Sequence, residues 1–333
     1  MNDLKFAFRQ LLKNPGFTVH PSQCCRPGRV PFLRRYSERL GHLQLCCYAG
    51  RAVAMLILAL GLAGSNVAYG HPGVGIVRDS RGNVFYTDLA QVWRLAPDGS
   101  KSIAVTNVHT HELCLDAEDN LYGEHLWYEG VTTKKWGHYV WRRSPNGEVQ
   151  KIIPPAEGFL THYSFVRDRA GNMYWADRQT PGGPAIRKRS PSGATTTVLQ
   201  NASFRDIGFM TCSPGGTIYL IDRSDLIRIG PDNRMQVVAE RLSGDRFKFN
   251  QRHKVQGLCA SDDDNVWVAV SEARVVKRIS KDGKVTVVAQ SPAPFRPNGV
   301  LAMPDGHVWI LEDSLPGRAR VREIAPDGTD RRY

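Results

Sequence analysis

From about residue 73 onward, apolar and polar positions alternate with period two, in short bursts separated by glycine, asparagine and aspartate. Six segments repeat one order: an apolar strand, an Asp/Gly/Asn turn, a β-branched and aromatic strand, a third strand, then a Pro–polar–Gly turn. They read GVGIVRDSRGNVFYTD…VWRLAPDG from Gly73, ELCLDAEDNLYGEH…YVWRRSPNG from Glu112 and SFVRDRAGNMYWAD…AIRKRSPSG from Ser164. FMTCSPGGTIYLID…LIRIGPDN follows from Phe209, GLCASDDDNVWVAV…VVKRISKDG from Gly257 and GVLAMPDGHVWILE…RVREIAPDG from Gly299. Asn83, Asn120, Asn172, Thr217, Asn265 and His307 fall in register just after the first turn.

Gly and Asn tolerate the positive φ of tight hairpins, so they recur where one strand folds back into the next. Alternation in VFYTD, MYWAD and VWVAV gives half-buried strands. Four short strands per unit of about 40–50 residues describe a propeller blade, and six units close a ring. The predicted fold is all-β: a six-bladed β-propeller of four-stranded antiparallel blades over residues 71–333, preceded by an unstructured or helical leader. After Gly328 only TDRRY remains. Either that stub forms the outer strand of blade six, or SNVAY, from Ser65, does.

The leader divides in two. Residues 52–64, AVAMLILALGLAG, are an uncharged apolar run, with Arg51 before it and Ala68 and Gly70 after it. That is the shape of a secretory signal over residues 51–70. The run is shorter than the roughly 20 apolar residues a spanning helix needs. The expectation is a periplasmic or secreted protein; the alternative is a membrane anchor through 52–64, the membrane being touched only there and only if the segment is uncleaved. Residues 1–50 form an atypical leader outside the fold. MNDLKFAFRQLLKNPGFT, residues 1–18, resembles the opening of ABC-transporter permeases of the macrolide-exporter type, as a fused frame or misplaced start would.

The chain of 333 residues carries a formal charge of +12, but nine Lys/Arg against two acids within residues 1–51 supply more than half of it. No dense basic stripe interleaved with aromatics follows, so no nucleic-acid partner is expected. Cys114, Cys212 and Cys259 are the cysteines of the repeat region. Three thiols make no disulfide framework, and Cys114 and Cys259 fall at equivalent, core-facing points of their strands.

The motifs GNVFYTD, GNMYWAD and RPNGVLAMPDG resemble those of the six-bladed NHL-repeat and gluconolactonase-like (regucalcin) propellers. The resemblance covers about residues 71–333 and implies the fold. In that group acidic and amide side chains just before the first strand of each blade hold a metal. Asn298 matches, whereas Gln256 stands where an Asp is expected and Val74 where a Glu is. A hard cation needs carboxylate oxygen, which these two positions lack.

In a propeller the connectors into the innermost strands meet at one mouth of the channel. There the blades bring His109, His111, His162, Tyr163, Asp206, Lys254, Gln256, Arg296 and Asn298, with His71 and His253 close by. Three readings compete. His111, His162 and Glu112 are candidate ligands of one divalent metal such as zinc, which would polarise a carbonyl or activate water in a lactonase-like hydrolase. His111 or His162 beside Tyr163 and Lys254 is a candidate general base, as in the resembling virginiamycin B and amidating lyases. Leading both is a binding module: His109, Asp206, Gln256, Arg296 and Asn298 hold a small polar or anionic molecule, or a protein partner's carboxylates. SDDDN, from Ser261, looks calcium-like but occupies a hairpin turn. GEHLWYEG to KKWGHY in blade two reads as a long insertion, either a ligand lid or a loop that packs its own aromatics.

Overall fold

The structure, a computed structural model, describes residues 73–129, 135–160, 162–244, 254–314 and 317–333. The leader, the signal or anchor segment, His71 and His253 lie outside the described residues.

Each repeat becomes one antiparallel sheet whose strands pair in chain order, the first innermost. Five sheets have four strands, and six sheets make the ring. Blade three has three regular strands, its innermost position held by the single bridge Arg167–Met173. Blade six supplies its own outer strand, Asp330–Arg332, paired with Arg318–Ile324. The stub TDRRY therefore completes the last blade.

Both hairpins at the base of each blade use one left-handed residue. In the first it is Gly82, Asp119, Gly171, Gly216, Asp264 or Gly306, with φ between 60° and 88°. In the second it is Gly99, Gly147, Gly193, Asn233, Gly283 or Gly328. Only Gly, Asn and Asp stand at these places because a bulkier Cβ would crowd the backbone there. In blades one to three the first turn is also locked by a carboxylate. Asp79, Asp116 and Asp168 each accept from the side chain of the Asn four residues on, at 2.7–2.9 Å. The SDDDN segment is built likewise: Asp263 accepts from Ser261 and Asn265. Asp264 accepts from the Tyr219 hydroxyl of blade four at 2.6 Å, and Asp262 pairs with Arg169 of blade three at 3.3 Å. Its carboxylates hold a turn and tie blades together.

The core lies in the six seams between blades, because each sheet buries both faces against its neighbours. Blade one closes on blade six through Ile76, Tyr86 and Leu95 against Trp309, Leu311 and Val321. The terminal Tyr333 stacks on Trp309 at 5.8 Å. The ring is thus closed by side chains, each large one contributing about 1.5–3 kcal/mol on full burial. The seam between blades two and three buries Cys114, Val140 and Phe165. There the Arg167 guanidinium lies over the Tyr122 and Tyr163 rings.

Blade two departs from the others. Its second and third strands, Leu121–Glu129 and Lys135–Arg143, run nine residues each and stay paired throughout. The segment predicted as a long loop is therefore a β-hairpin arm continuing those strands, at the end of the ring where connectors join the blades. Gly137 permits it: a Cβ there would fall 1.9 Å from the Ala156 carbonyl oxygen.

Candidate functional site

The connector from blade one into blade two decides where its imidazoles go. The His111 carbonyl accepts the N–H groups of Val74 and Gly75 at 2.9 and 2.8 Å, fastening the connector to blade one. On the other side the His109 N–H donates to His125 Nδ1 at 2.9 Å, and its carbonyl accepts from Leu126 at 3.0 Å. The connector thus runs beside the arm. The buried Thr110 donates to the Glu124 carbonyl, which also accepts from Trp141 Nε1 at 3.0 Å.

This course carries the His111 ring to the arm. Its Nδ1 is 3.1 Å from Glu124 Oε1, while His138 Nε2, on the third strand, is 4.0 Å from Oε2. His138 is oriented from behind by donating Nδ1–H to the Gly158 carbonyl at 2.6 Å. The His109 ring meets His111 edge to face at 4.8 Å. Burial alone would raise the Glu124 carboxyl, but the His111 hydrogen bond and the charges of His111, His138 and His109 outweigh it and hold the group below its ordinary value. On the arm's other face burial, Lys151 and His138 push His125 down. That direction agrees with a ring nitrogen accepting a backbone N–H. Farther out, Trp136 packs edge-on to Phe159 at 4.4 Å, and the Phe159 side chain is exposed.

Glu112, next in sequence to His111, lines the central channel instead. The channel holds a cavity of about 160 Å³ to which the innermost strands of all six blades contribute, with Val74 and Phe209 also on its wall. Burial, and then the charge of Glu124, push the Glu112 carboxyl up to about 7, against smaller opposing effects of His111 and Arg178. Two neighbouring carboxyls are therefore shifted in opposite directions. Arg178 donates from Nε and Nη2 to the Ile207 carbonyl at 3.2 and 2.8 Å, tying blade three to blade four above the channel.

The remaining predicted residues have their own partners. His162 takes a left-handed φ of 59°, sets its ring against Trp175 at 5.8 Å, and its carbonyl accepts from Arg189. Tyr163 accepts from Arg167 at 2.7 Å, and burial pushes its hydroxyl up to about 12. Lys254 is ion-paired with Glu272. The Asp206 N–H donates to Asp222 at 2.6 Å. Gln256 and Asn298 are both buried, at β-bulges where the first strands of blades five and six begin. Asn298 hydrogen-bonds Asp313, whose carboxyl is raised by burial against that bond and the charge of Arg296.

Among the described residues no three His, Cys, Asp or Glu side chains gather as a metal ion would require. His111, His162 and Glu112 are accordingly not brought around one point: the first turns to the arm, the second to Trp175, the third to the channel. No metal-dependent step can be drawn through them. Burial pushes the Cys114 and Cys212 thiols up to about 12 and raises that of Cys259, which leaves none of them primed as a nucleophile. Glu124 and Arg178 were not foreseen, and His138 was read only as part of the blade-two insertion; no regular polar–apolar alternation marks the strand's continuation into the arm.

No family model matches the chain, and no curated protein sequence is similar to it. Solved structures are similar in fold. Virginiamycin B lyase from Staphylococcus aureus is 15% identical with a TM-score of 0.45, over 81% of this chain and 86% of its own. A gluconolactonase from Xanthomonas campestris is 11% identical with a TM-score of 0.46, over 73% and 84%. An auxiliary nutrient binding protein from Bacteroides ovatus is 10% identical with a TM-score of 0.51, over 79% and 70%. At such identities the likeness speaks for architecture alone. On its own geometry of six sheets in a ring, the chain is a six-bladed β-propeller.

Proposed function

We propose that the protein is an exported ligand-binding propeller that takes a small polar molecule at the mouth of its central channel. The carrying observation is the line His111–Glu124–His138 beside Glu112, on the arm and connector of blade two. It places part-buried hydrogen-bonding groups next to an open channel, which is how small-molecule sites are built. A ligand offering hydrogen-bond donors suits this mouth better than an anion. Lys254 already faces Glu272, and Arg296 already faces Asp313. The fold neighbours include a nutrient-binding protein, which agrees with binding but does not identify a ligand.

The opposite shifts of Glu112 and Glu124 favour one second reading. Two carboxyls whose surroundings push them apart in acidity are the arrangement general acid–base chemistry uses. The test is a thermal-shift survey of polar metabolites, with each hit repeated on Glu124→Ala and followed for turnover by mass spectrometry. Hits that lose their shift in the variant and come back unchanged support binding. A hit converted to product by the native protein but not by Glu124→Ala supports the enzyme, and a survey without hits sinks both.

A further inference from the structure

We infer that the central channel is a site for a small organic cation, a primary ammonium or guanidinium, with the Glu112 carboxylate as its counter-charge. This rests on the ligand-binding reading above and names the class of ligand. Glu112 and Glu124 stand close enough for their charges to interact, yet only Glu124 is ion-paired with imidazoles. Among the described residues no side chain hydrogen-bonds or ion-pairs the Glu112 carboxyl, which faces the cavity. The charged and titratable groups around it are Glu124, His111, Arg178 and the Cys114 thiol, and the same cavity wall carries Arg167, whose guanidinium is held by the Tyr163 hydroxyl and over the Tyr122 and Tyr163 rings. Of these, Arg178 is anchored on the Ile207 carbonyl.

The rest of the wall suits a cation. The innermost strands present their unpaired edges to the channel, so backbone carbonyls can accept from an ammonium's several N–H groups. Phe209 adds an aromatic ring to the same cavity, and a ring face attracts organic cations. A bound ammonium would also oppose the burial and the Glu124 charge that push Glu112 up. A volume of about 160 Å³ restricts the ligand to a charged head with a short chain.

The test is calorimetric titration of the full chain with n-butylammonium, n-butanol, butyrate and calcium, on the native protein and on Glu112→Gln. The expected result is butylammonium bound at least tenfold tighter than butanol, and a loss of tenfold or more in Glu112→Gln with folding unchanged by circular dichroism. Equal binding of butanol or butyrate overturns the inference. So does Glu112-dependent binding of calcium in place of the amine, or amine binding indifferent to the substitution. In those cases metabolite hits that depend on Glu124 would leave the broader reading standing. Absence of binding by every probe and metabolite removes both.

Discussion

At the hairpin end of the ring one blade predicts the next, and at the connector end it does not. Gly82, Asp119, Gly171, Gly216, Asp264 and Gly306 occupy the same turn position in the same left-handed conformation. At the other end His111, Tyr163, Gln256 and Asn298 occupy the same step at the entry to the innermost position of their blades, yet meet different surroundings. His111 meets an arm carboxylate, Tyr163 a guanidinium, and Asn298 a buried Asp. The difference is one of constraint. A tight hairpin admits few backbone conformations and so few residue types. A connector has only to reach the next blade, and whatever its side chains touch is set by the neighbours it passes.

The comparison can be broken hardest where the arm joins the ring. Trp141 is almost fully buried and its indole N–H holds the Glu124 carbonyl. Trp141→Ala is expected to cost about 3–5 kcal/mol, read from denaturant unfolding, and to release His111 from Glu124. A loss below about 1 kcal/mol would mean that the arm stands without the connector. Next comes Glu112→Gln. The native carboxyl titrates near 7 against an ordinary 4.5, so between those values the folded state keeps a proton the unfolded chain has lost. Native stability therefore falls as pH rises through that window, and above it a buried charge persists. The Gln variant should be more stable than the native protein at pH 8 by about 1–3 kcal/mol and equal to it near pH 4. A constant difference across pH would show that Glu112 does not titrate in that range.

The hairpin end should respond weakly and uniformly. Gly147 sits at φ 100°, and a Cβ there would meet only Arg143 Nη2, in ordinary contact at 3.5 Å, so Gly147→Ala should cost about 1 kcal/mol through the backbone alone. The equivalent change at Gly328, which has open space around it, should cost the same within error, and unequal costs would contradict the equivalence of the turns. Asn233, the one non-glycine in that series, should yield the smallest effect: Asn233→Gly is expected to gain roughly 0.5 kcal/mol by thermal denaturation.

These same constraints explain what could be read beforehand. The blade number, the strand order and the turn positions were legible because each depends on local rules repeated six times. The calcium-like SDDDN was legible as a turn for that reason. The arm was misjudged as a loop because Trp127, Tyr128 and Trp136 suit a strand or an aromatic loop equally, and register decides which. His111 and His162 were named from their place on the connectors, but their partners Glu124 and Trp175 belong to second strands that come back from the base of the blade.

Alternation of apolar residues and left-handed turn residues by themselves determined a six-bladed ring, because strand period and hairpin geometry are properties of adjacent residues. Only the tertiary structure decided that His111 faces Glu124 and that Glu112 faces the channel. A one-residue step along an extended chain reverses the direction of a side chain, and the surroundings that then fix its charge come from strands remote in sequence.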